Sequence, residues 1–287
     1  MNNVSLDAYS IFKDVYENRN IAQTANKLNV SPSSISYRIK MLEEMLNIKL
    51  FERKSFGVEP TACADELYYN INEALSMIKN VERDIIEKKN SNNGNIYIGI
   101  HYNIDKLFII SVINKYIKLF PNMKIHLIEK GTHELVKLLE NNKIDMIIDY
   151  LPISSDKKEL KVKILKELHT CFIKIHGAPD KYILPSIGSV ARTEIDHYLQ
   201  ENNITIPVNY EICSNELMYK MIKEKIGIGY VITENIQSNI DKEFEYVKLL
   251  EDCPVLHICV AYIDKIVPSS VKNFIELLEE INKWNYI

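Results

Sequence analysis

Tryptophan occurs once and cysteine only five times, at Cys63, Cys171, Cys213, Cys253 and Cys259. An odd, scattered set of thiols excludes a disulfide framework and fits a reducing compartment. No run of about 18 uncharged apolar residues is present, which excludes a membrane-spanning helix. The polar start from Met1 to Ser10 lacks the basic-then-apolar pattern of an export signal, so a cytoplasmic location is expected. Eight Gly and nine Pro in 287 residues rule out collagen-like and low-complexity chains. Arginine is scarce too: Arg19, Arg38, Arg53, Arg83 and Arg192 are the full set, four of them before residue 90. With 35 basic against 39 acidic side chains the net charge is −4, so any nucleic-acid contact must come from a local basic surface.

Catalytic constellations are missing as well. The sequence contains no Gly-x-Ser-x-Gly, no phosphate loop and no Gly-x-Gly-x-x-Gly; Gly227-Ile228-Gly229 lacks the third glycine and precedes a strand. His126, His133, His169 and His176 show no ligand spacing, so no metal and no cofactor is expected. The chain is not expected to be an enzyme. What remains is 46% apolar residues over a length that suits about two domains of roughly 150 residues.

The first sixty residues read as three helices and a hairpin. Leu6, Tyr9, Ile11, Phe12 and Val15 are helically spaced, and Ala22, Ala25 and Leu28 mark a second short helix. After a break at Asn29-Val30, Ser31 followed by Pro32 is an N-cap with proline at the first helical position. It opens a third helix with apolar positions Ile35, Ile39, Leu42 and Leu46. Such spacing is that of a helix-turn-helix. The polar face of the third helix carries Ser33, Ser34, Ser36, Tyr37, Arg38 and Lys40: short hydroxyls that permit close backbone approach to base edges, then cations for phosphates. Ile48 to Phe51, a turn from Arg53 to Gly57, and Val58-Glu59 predict a hairpin that brings Arg53 and Lys54 to the same duplex. Residues 1 to 60 hold eight basic and seven acidic side chains, so the basic charge is placed and not abundant.

From Thr61 the chain runs to Asn90 without Pro or Gly, predicting one long helix. Leu67, Ile71, Ala74, Ile78, Val81 and Ile85 are spaced 4, 3, 4, 3 and 4, a heptad seam that predicts helix pairing, with packing on its own domain as the other reading. Ser91-Asn92-Asn93-Gly94 then forms a polar linker. Beyond it strands at 95–100, 124–129 and 144–149 alternate with helices at 106–120 and 133–141, which implies a parallel sheet. A second series follows, with strands at 162–175, 181–184, 208–212, 228–232 and 256–262 and helices at 190–201, 215–225 and 269–281. Two α/β lobes are indicated, and ligands of such sheets sit beyond the carboxyl ends of the strands. The loops there are polar: His101-Tyr102-Asn103, Gly131-Thr132-His133, Ser186 to Ser189, and Ser214-Asn215. Asn103, Thr132, Ser189 and Ser214 read equally well as helix caps. Arg192 is expected to face outward, since Val190, Ile195 and Leu199 fill the inward stripe of its helix.

The run Thr24-Ala25, Leu28, Ser31, Ser33, Ile35-Ser36, Ile39, Leu42-Glu43, Leu46, Leu50-Phe51, Arg53 and Pro60-Thr61 resembles the winged helix-turn-helix of LysR-type transcriptional regulators. Tyr37 stands where that family commonly has Arg, and Asn47 where it commonly has Gly. The resemblance implies that Pro32, Ser33, Ser36, Tyr37 and Lys40 face double-stranded DNA, that Arg53 anchors the wing, and that the linker helices pair as a homodimer, within a dimer or tetramer. More loosely, Glu129 to Thr132 with Ile144-Asp145, Ser189 to Leu199, and Ser214 to Tyr230 are similar to the effector domain of those regulators, itself similar to periplasmic solute-binding proteins. That implies a small-molecule effector held by Asn103 and Thr132 from one lobe, with Ile187 closing from the other. The expected α/β organisation is a DNA-binding domain over 1–60, a dimerisation helix over 61–90 and an effector domain over 91–287. Lobe 1 takes about 91–161 and 264–287, lobe 2 about 162–263. The competing reading is a cytosolic binding protein or enzyme whose N-terminal unit only oligomerises.

Overall fold

The computed structural model describes residues 4–89, 93–156, 159–233, 244–248, 253–265 and 267–284. Two compact units divide the chain between Glu82 and Arg83.

The first unit holds α1 (Leu6–Asn18), α2 (Ile21–Leu28), α3 (Pro32–Leu46), β1 (Phe51–Lys54), β2 (Gly57–Pro60) and the start of α4 (Ala62–Lys89). Each short helix is capped by its own sequence. Ser5, Asn20 and Ser31 accept hydrogen bonds from Ala8, Gln23 and Ser34, and Pro32 sits where its missing N–H costs nothing. Both turns of the motif leave through asparagine in the left-handed region, Asn29 at φ 54° and Asn47 at φ 54°. Asparagine tolerates that conformation better than other side chains, so glycine is not required at residue 47. Phe12, Val15, Ala25, Ile35, Leu42 and Leu50 form the core between the helices. Tyr16 stacks on Tyr68 with ring centroids 3.9 Å apart, and its hydroxyl donates to Asp65 at 2.7 Å, which seats α4 on α1.

The first strand of the hairpin begins at Phe51 and not at the expected Ile48. The Ile48 N–H is drawn into the end of α3 by the Glu43 carbonyl at 3.1 Å, and the Leu50 N–H by the Glu43 carboxylate at 2.8 Å. The ladder from Phe51↔Pro60 to Lys54↔Gly57 then leaves Ser55-Phe56 as the turn.

The second unit is a mixed α/β domain. It contains β3 (Gly94–His101), α5 (Lys106–Leu119), β4 (Met123–Lys130), α6 (Thr132–Glu140), β5 (Met146–Tyr150), β6 (Leu160–Ile175), β7 (Tyr182–Pro185), α7 (Val190–Glu201), β8 (Val208–Ile212), α8 (Asn215–Lys223), β9 (Ile228–Ile232), β10 (Phe244–Tyr246), β11 (Val255–Ile263) and α9 (Ser269–Trp284). Strands run in the order β4-β3-β5-β11-β6-β9-β7-β8, with β10 beside β6. β3 pairs in parallel with both β4 and β5, and β7 with both β8 and β9, which gives two parallel βα halves. All five residues of β5 and of β9 are buried, as strands covered on both faces must be.

The long strands β6 and β11 belong to both halves. β6 pairs with β11 from Leu160 to His169 and with β9 from Thr170 to Ile173, so the lobe limits expected near 162 and 263 fall at the outer ends of shared strands. The short β10 had no signal in the sequence. The expected helix end at Asn90 and the Ser91-Asn92 part of the linker lie outside the described residues.

Candidate nucleic-acid interface and effector cleft

Along α3, Pro32, Ser33, Tyr37, Arg38 and Lys40 are exposed, while Ser34 and Ser36 are half-buried. Tyr37 is 64% exposed. The cations of this face are largely compensated within the unit. Arg38 pairs with Asp7 of α1, and Lys40 approaches Glu44 one turn along at 3.5 Å. On the hairpin, Lys54 lies 2.9 Å from Glu59 and 3.5 Å from Glu52, and the bond to Glu59 raises its pKa first. Among the described residues Arg53 makes no ion pair. Where the sequence suggested several cations for phosphates, Arg53 is thus the one of them without an acidic partner among the described residues, and hydroxyls with Tyr37 make up the rest of the α3 face.

The hairpin is held at its base from two directions. Glu43, 9% exposed on α3, accepts from the Leu50 and Phe51 N–H groups at 2.8 and 3.2 Å and from Lys49 at 3.0 Å. On the other side Val58 N–H donates to the Arg19 carbonyl at 2.9 Å. Gly57 makes that approach possible, since a Cβ there would lie 2.3 Å from the Arg19 oxygen, and its φ of +113° is closed to other residues.

Of the predicted seam on α4, Ala74, Ile78, Val81 and Ile85 are exposed, Ile85 by 59%, whereas Leu67 packs into the core of the first unit. After it, Arg83 begins the second unit and does something its sequence position did not announce. Its guanidinium donates to Glu87 at 2.9 Å, Asp145 at 2.6 Å, Ser270 at 3.2 Å and the Asn95 carbonyl. One residue later Asp84 accepts from the Ser269 N–H and hydroxyl at 3.0 and 2.7 Å, capping α9. The last turns of α4 are therefore fastened to β3, the entry of β5 and the start of α9. Scarcity of arginine was the only signal.

Within the second unit, a cleft of about 50 Å3 opens between the two parallel halves. His101, Tyr102, Asn103, Ser189 and Asn215 line it, all expected from the strand-end loops. Gly131, Thr132, His133, Ile187 and Ser214 are not on its wall; Ile187 is 73% exposed. Tyr150, Thr170, Ser186, Cys213 and Tyr230 complete the polar lining; Ser186 opens the expected Ser186 to Ser189 loop, while the other four carried no signal because Thr170 and Tyr230 sit inside strands, Tyr150 is the last residue of β5 and Cys213 directly follows β8. Ser189 and Ser214 do cap α7 and α8, but α5 is capped by Asp105 and α6 begins at Gly131 without a side-chain cap. Asn103 and Thr132 are thus not caps.

Asn103 instead bridges the halves. Its amide donates to the Cys213 carbonyl at 2.8 Å and accepts from the Asn215 N–H at 3.3 Å, while Tyr150 OH donates to its backbone carbonyl at 2.9 Å. One hydrogen and one lone pair of the Asn103 amide are taken by these bonds, which leaves one of each for a ligand.

Among the described residues the wall carries no charged side chain. Burial pushes the His101 imidazole down to about 4, so it is neutral and accepts from the Asn103 N–H at Nδ1. Behind the wall, Asp149 is fully buried and pushed up to about 6 by desolvation, against the favourable Tyr150 N–H bond at 2.7 Å. Its Oδ2 closes no hydrogen bond of ordinary geometry; the Thr132 hydroxyl is near enough only to offset part of the shift. Cys259, its thiol raised to about 12 by the same burial, donates to the Asp149 carbonyl at 3.4 Å. Arg192 corrects an expectation. It is 8% exposed and not on the surface, because Asp196 at 2.8 Å, the Pro185 carbonyl at 3.1 Å and Glu211 at 3.3 Å surround it with acceptors. A guanidinium so engaged is not available to clamp an anionic ligand.

A winged helix-turn-helix followed along the chain by a two-lobed α/β domain defines a class of fused helix-turn-helix and solute-binding folds. Residues 6–65 match the model of the bacterial regulatory helix-turn-helix proteins of the lysR family, and residues 89–282 the LysR substrate binding domain. The chain belongs to the LysR family. It is 30% identical over 161 residues to the transcriptional activator protein NhaR of Escherichia coli, over 55% of this chain and 52% of NhaR, so it spans about half the length of the first curated relatives it matches. A full-length point variant of OxyR from Pseudomonas aeruginosa shares the fold with a TM-score of 0.67 at 16% identity, covering 99% of this chain and 96% of that one. CbnR complexed with its target DNA does so at 0.61 and 12%, covering 96% and 99%. Among the described residues no helix is long and apolar enough to cross a membrane.

Proposed function

We propose that this chain is a transcription regulator that binds double-stranded DNA as a homodimer or higher oligomer, under the control of a small molecule taken up by the second unit. No catalytic step is assigned to it. It works in the cytoplasm, where its DNA is. Pro32, Ser33, Ser36, Tyr37 and Lys40 face base edges and backbone, with Arg53 on a phosphate. Two heads joined through the exposed stripe Ala74, Ile78, Val81 and Ile85 read two half-sites of an imperfect inverted repeat.

The observation that carries this reading is the pairing of an exposed hydroxyl-and-aromatic helix face with a wing whose base is fixed by Glu43 and Arg19. The effector binds between the halves at His101, Tyr102, Asn103, Ser189 and Asn215. To act as a switch it must prefer one arrangement of the lobes, since equal affinity for both shifts nothing. A gel-shift titration against the DNA upstream of the protein's own coding region, at two stated salt concentrations, tests the proposal. Saturable binding that a random duplex does not displace supports it; absent or sequence-independent binding refutes it.

A further inference from the structure

Phe56 is 98% exposed, the most exposed of the large apolar side chains described. Its place is specific: it occupies the turn of the wing, between the pair Lys54↔Gly57 that closes the ladder. The tip does not dangle. Two residues on, Val58 is bonded to the Arg19 carbonyl, and Gly57 takes the positive φ that lets the turn close tightly. A rigid hairpin therefore holds an aromatic ring out in water, where it gains nothing from the fold.

The charges beside it narrow what it is for. The wing carries Glu52, Arg53, Lys54 and Glu59, which sum to zero, and Lys54 is spent on the two glutamates. Electrostatic attraction of the wing to a polyanion is thus limited to Arg53, the residue before Lys54. An arm that offers one cation and one bare aromatic ring suits a surface with phosphates beside apolar base faces. Apolar side chains inserted from the minor groove do this by prising apart a base step, most readily a pyrimidine–purine step, whose stacking is weakest.

We infer that Phe56 is an apolar wedge that enters the minor groove beside each half-site and partly unstacks one flexible base step, so that the protein selects a step it does not read by hydrogen bonds. This rests on the regulator reading given above, and the partner it commits to is duplex DNA.

The test uses the full chain. Wild type, Phe56→Ala and Phe56→Leu are each put through selection from a random duplex library at fixed salt, and the wild-type winner is resynthesised with 2-aminopurine at successive steps outside the half-sites. The wild type is expected to enrich a TA or CA step at a fixed distance from the half-site and to raise 2-aminopurine fluorescence there. Phe56→Ala is expected to bind the same duplex about ten- to a hundredfold more weakly, as the loss of one aromatic–base contact implies, with no step preference and no fluorescence rise. Phe56→Leu, still apolar, retains part of both. Because the ring touches solvent only, all three melt alike, and a fall in melting temperature cannot masquerade as the effect. If Phe56→Ala enriches the same step with the same affinity and fluorescence, the wedge is refuted while the regulator reading stands. The same DNA binding combined with a loss of transcription in a reconstituted assay assigns the tip to a protein partner and also overturns it. If the wild type enriches no sequence at all, the regulator reading falls and the wedge with it.

Discussion

Replacing Asp149 by Asn should uncover a pH dependence that the wild type hides. Asp149 sits in β5 with no exposed surface and a carboxyl raised from 3.8 to about 6, while His101, 9% exposed on β3, is lowered from 6.5 to about 4. For Asp149, the folded chain keeps a proton that the unfolded chain has released between these values. Stability therefore falls as pH rises from about 4 to about 6, by about 1.4 kcal/mol per pH unit and about 3 kcal/mol in all. His101 has the opposite sign. The unfolded chain takes up a proton that the folded chain refuses, so stability rises by a similar total of about 3 kcal/mol between about pH 4 and 6.5.

The two slopes oppose each other over one window. Asp149→Asn keeps the acceptor for the Tyr150 N–H and removes the falling term, so its stability relative to wild type should climb by about 3 kcal/mol from pH 4 to 6.5. Its new N–H2 has no partner where Oδ2 has none, which costs about 1–2 kcal/mol and leaves a net gain of about 1–2 kcal/mol at pH 7.5. His101→Asn should fall relative to wild type by about the same amount over the same window. Urea unfolding followed by circular dichroism at half-unit pH steps measures both differences, in which all other titrating groups cancel. An Asp149→Asn difference that is flat across the window refutes burial as the cause of the shift.

Arg53→Ala should weaken binding to every DNA sequence and lower the salt slope by about one, read from gel shifts at three salt concentrations. Ile78→Asp, on an exposed position of α4, should shift the chain toward monomer in sedimentation at micromolar concentration without a change of more than about 0.5 kcal/mol in the unfolding of each unit. Arg83→Met leaves the buried Glu87 and the half-buried Asp145 without their cation and should destabilise the second unit by about 3 kcal/mol in urea, whereas an exposed ion pair would cost under about 1. Asn103→Ala removes both side-chain bonds across the cleft; hydrogen exchange at the Asn215 amide should quicken by about tenfold, a loss of about 1–2 kcal/mol in local protection.

The N-terminal unit was legible almost residue by residue because its determinants are local. Ser31-Pro32 starts α3, the 3–4 spacing of Ile35, Ile39 and Leu42 fills the core, and Thr61 starts α4 through its own hydroxyl at 3.2 Å from the Ala64 N–H. The hairpin slipped by three residues because Glu43, seven positions upstream of Leu50, competes for the N–H groups that would open the strand. In the second unit the polar loops pointed to the cleft, and His101, Tyr102, Asn103, Ser189 and Asn215 do meet there. Thr170 and Tyr230 were invisible because each lies inside an apolar strand, and only the pairing of β6 with β9 sets the Tyr230 hydroxyl 2.8 Å from Thr170.

The amino-acid string decided where α3 and α4 begin and the βα alternation, since capping, periodicity and turn chemistry act over a few neighbouring residues. Which charges cancel was decided only when distant segments met. Asp7 claims Arg38 across 31 positions, Asp145 claims Arg83 across 62, and Glu211 reaches Arg192 across 19. Pair energies depend on separation in space and on exclusion of water, and neither quantity is written in the order of residues along a chain.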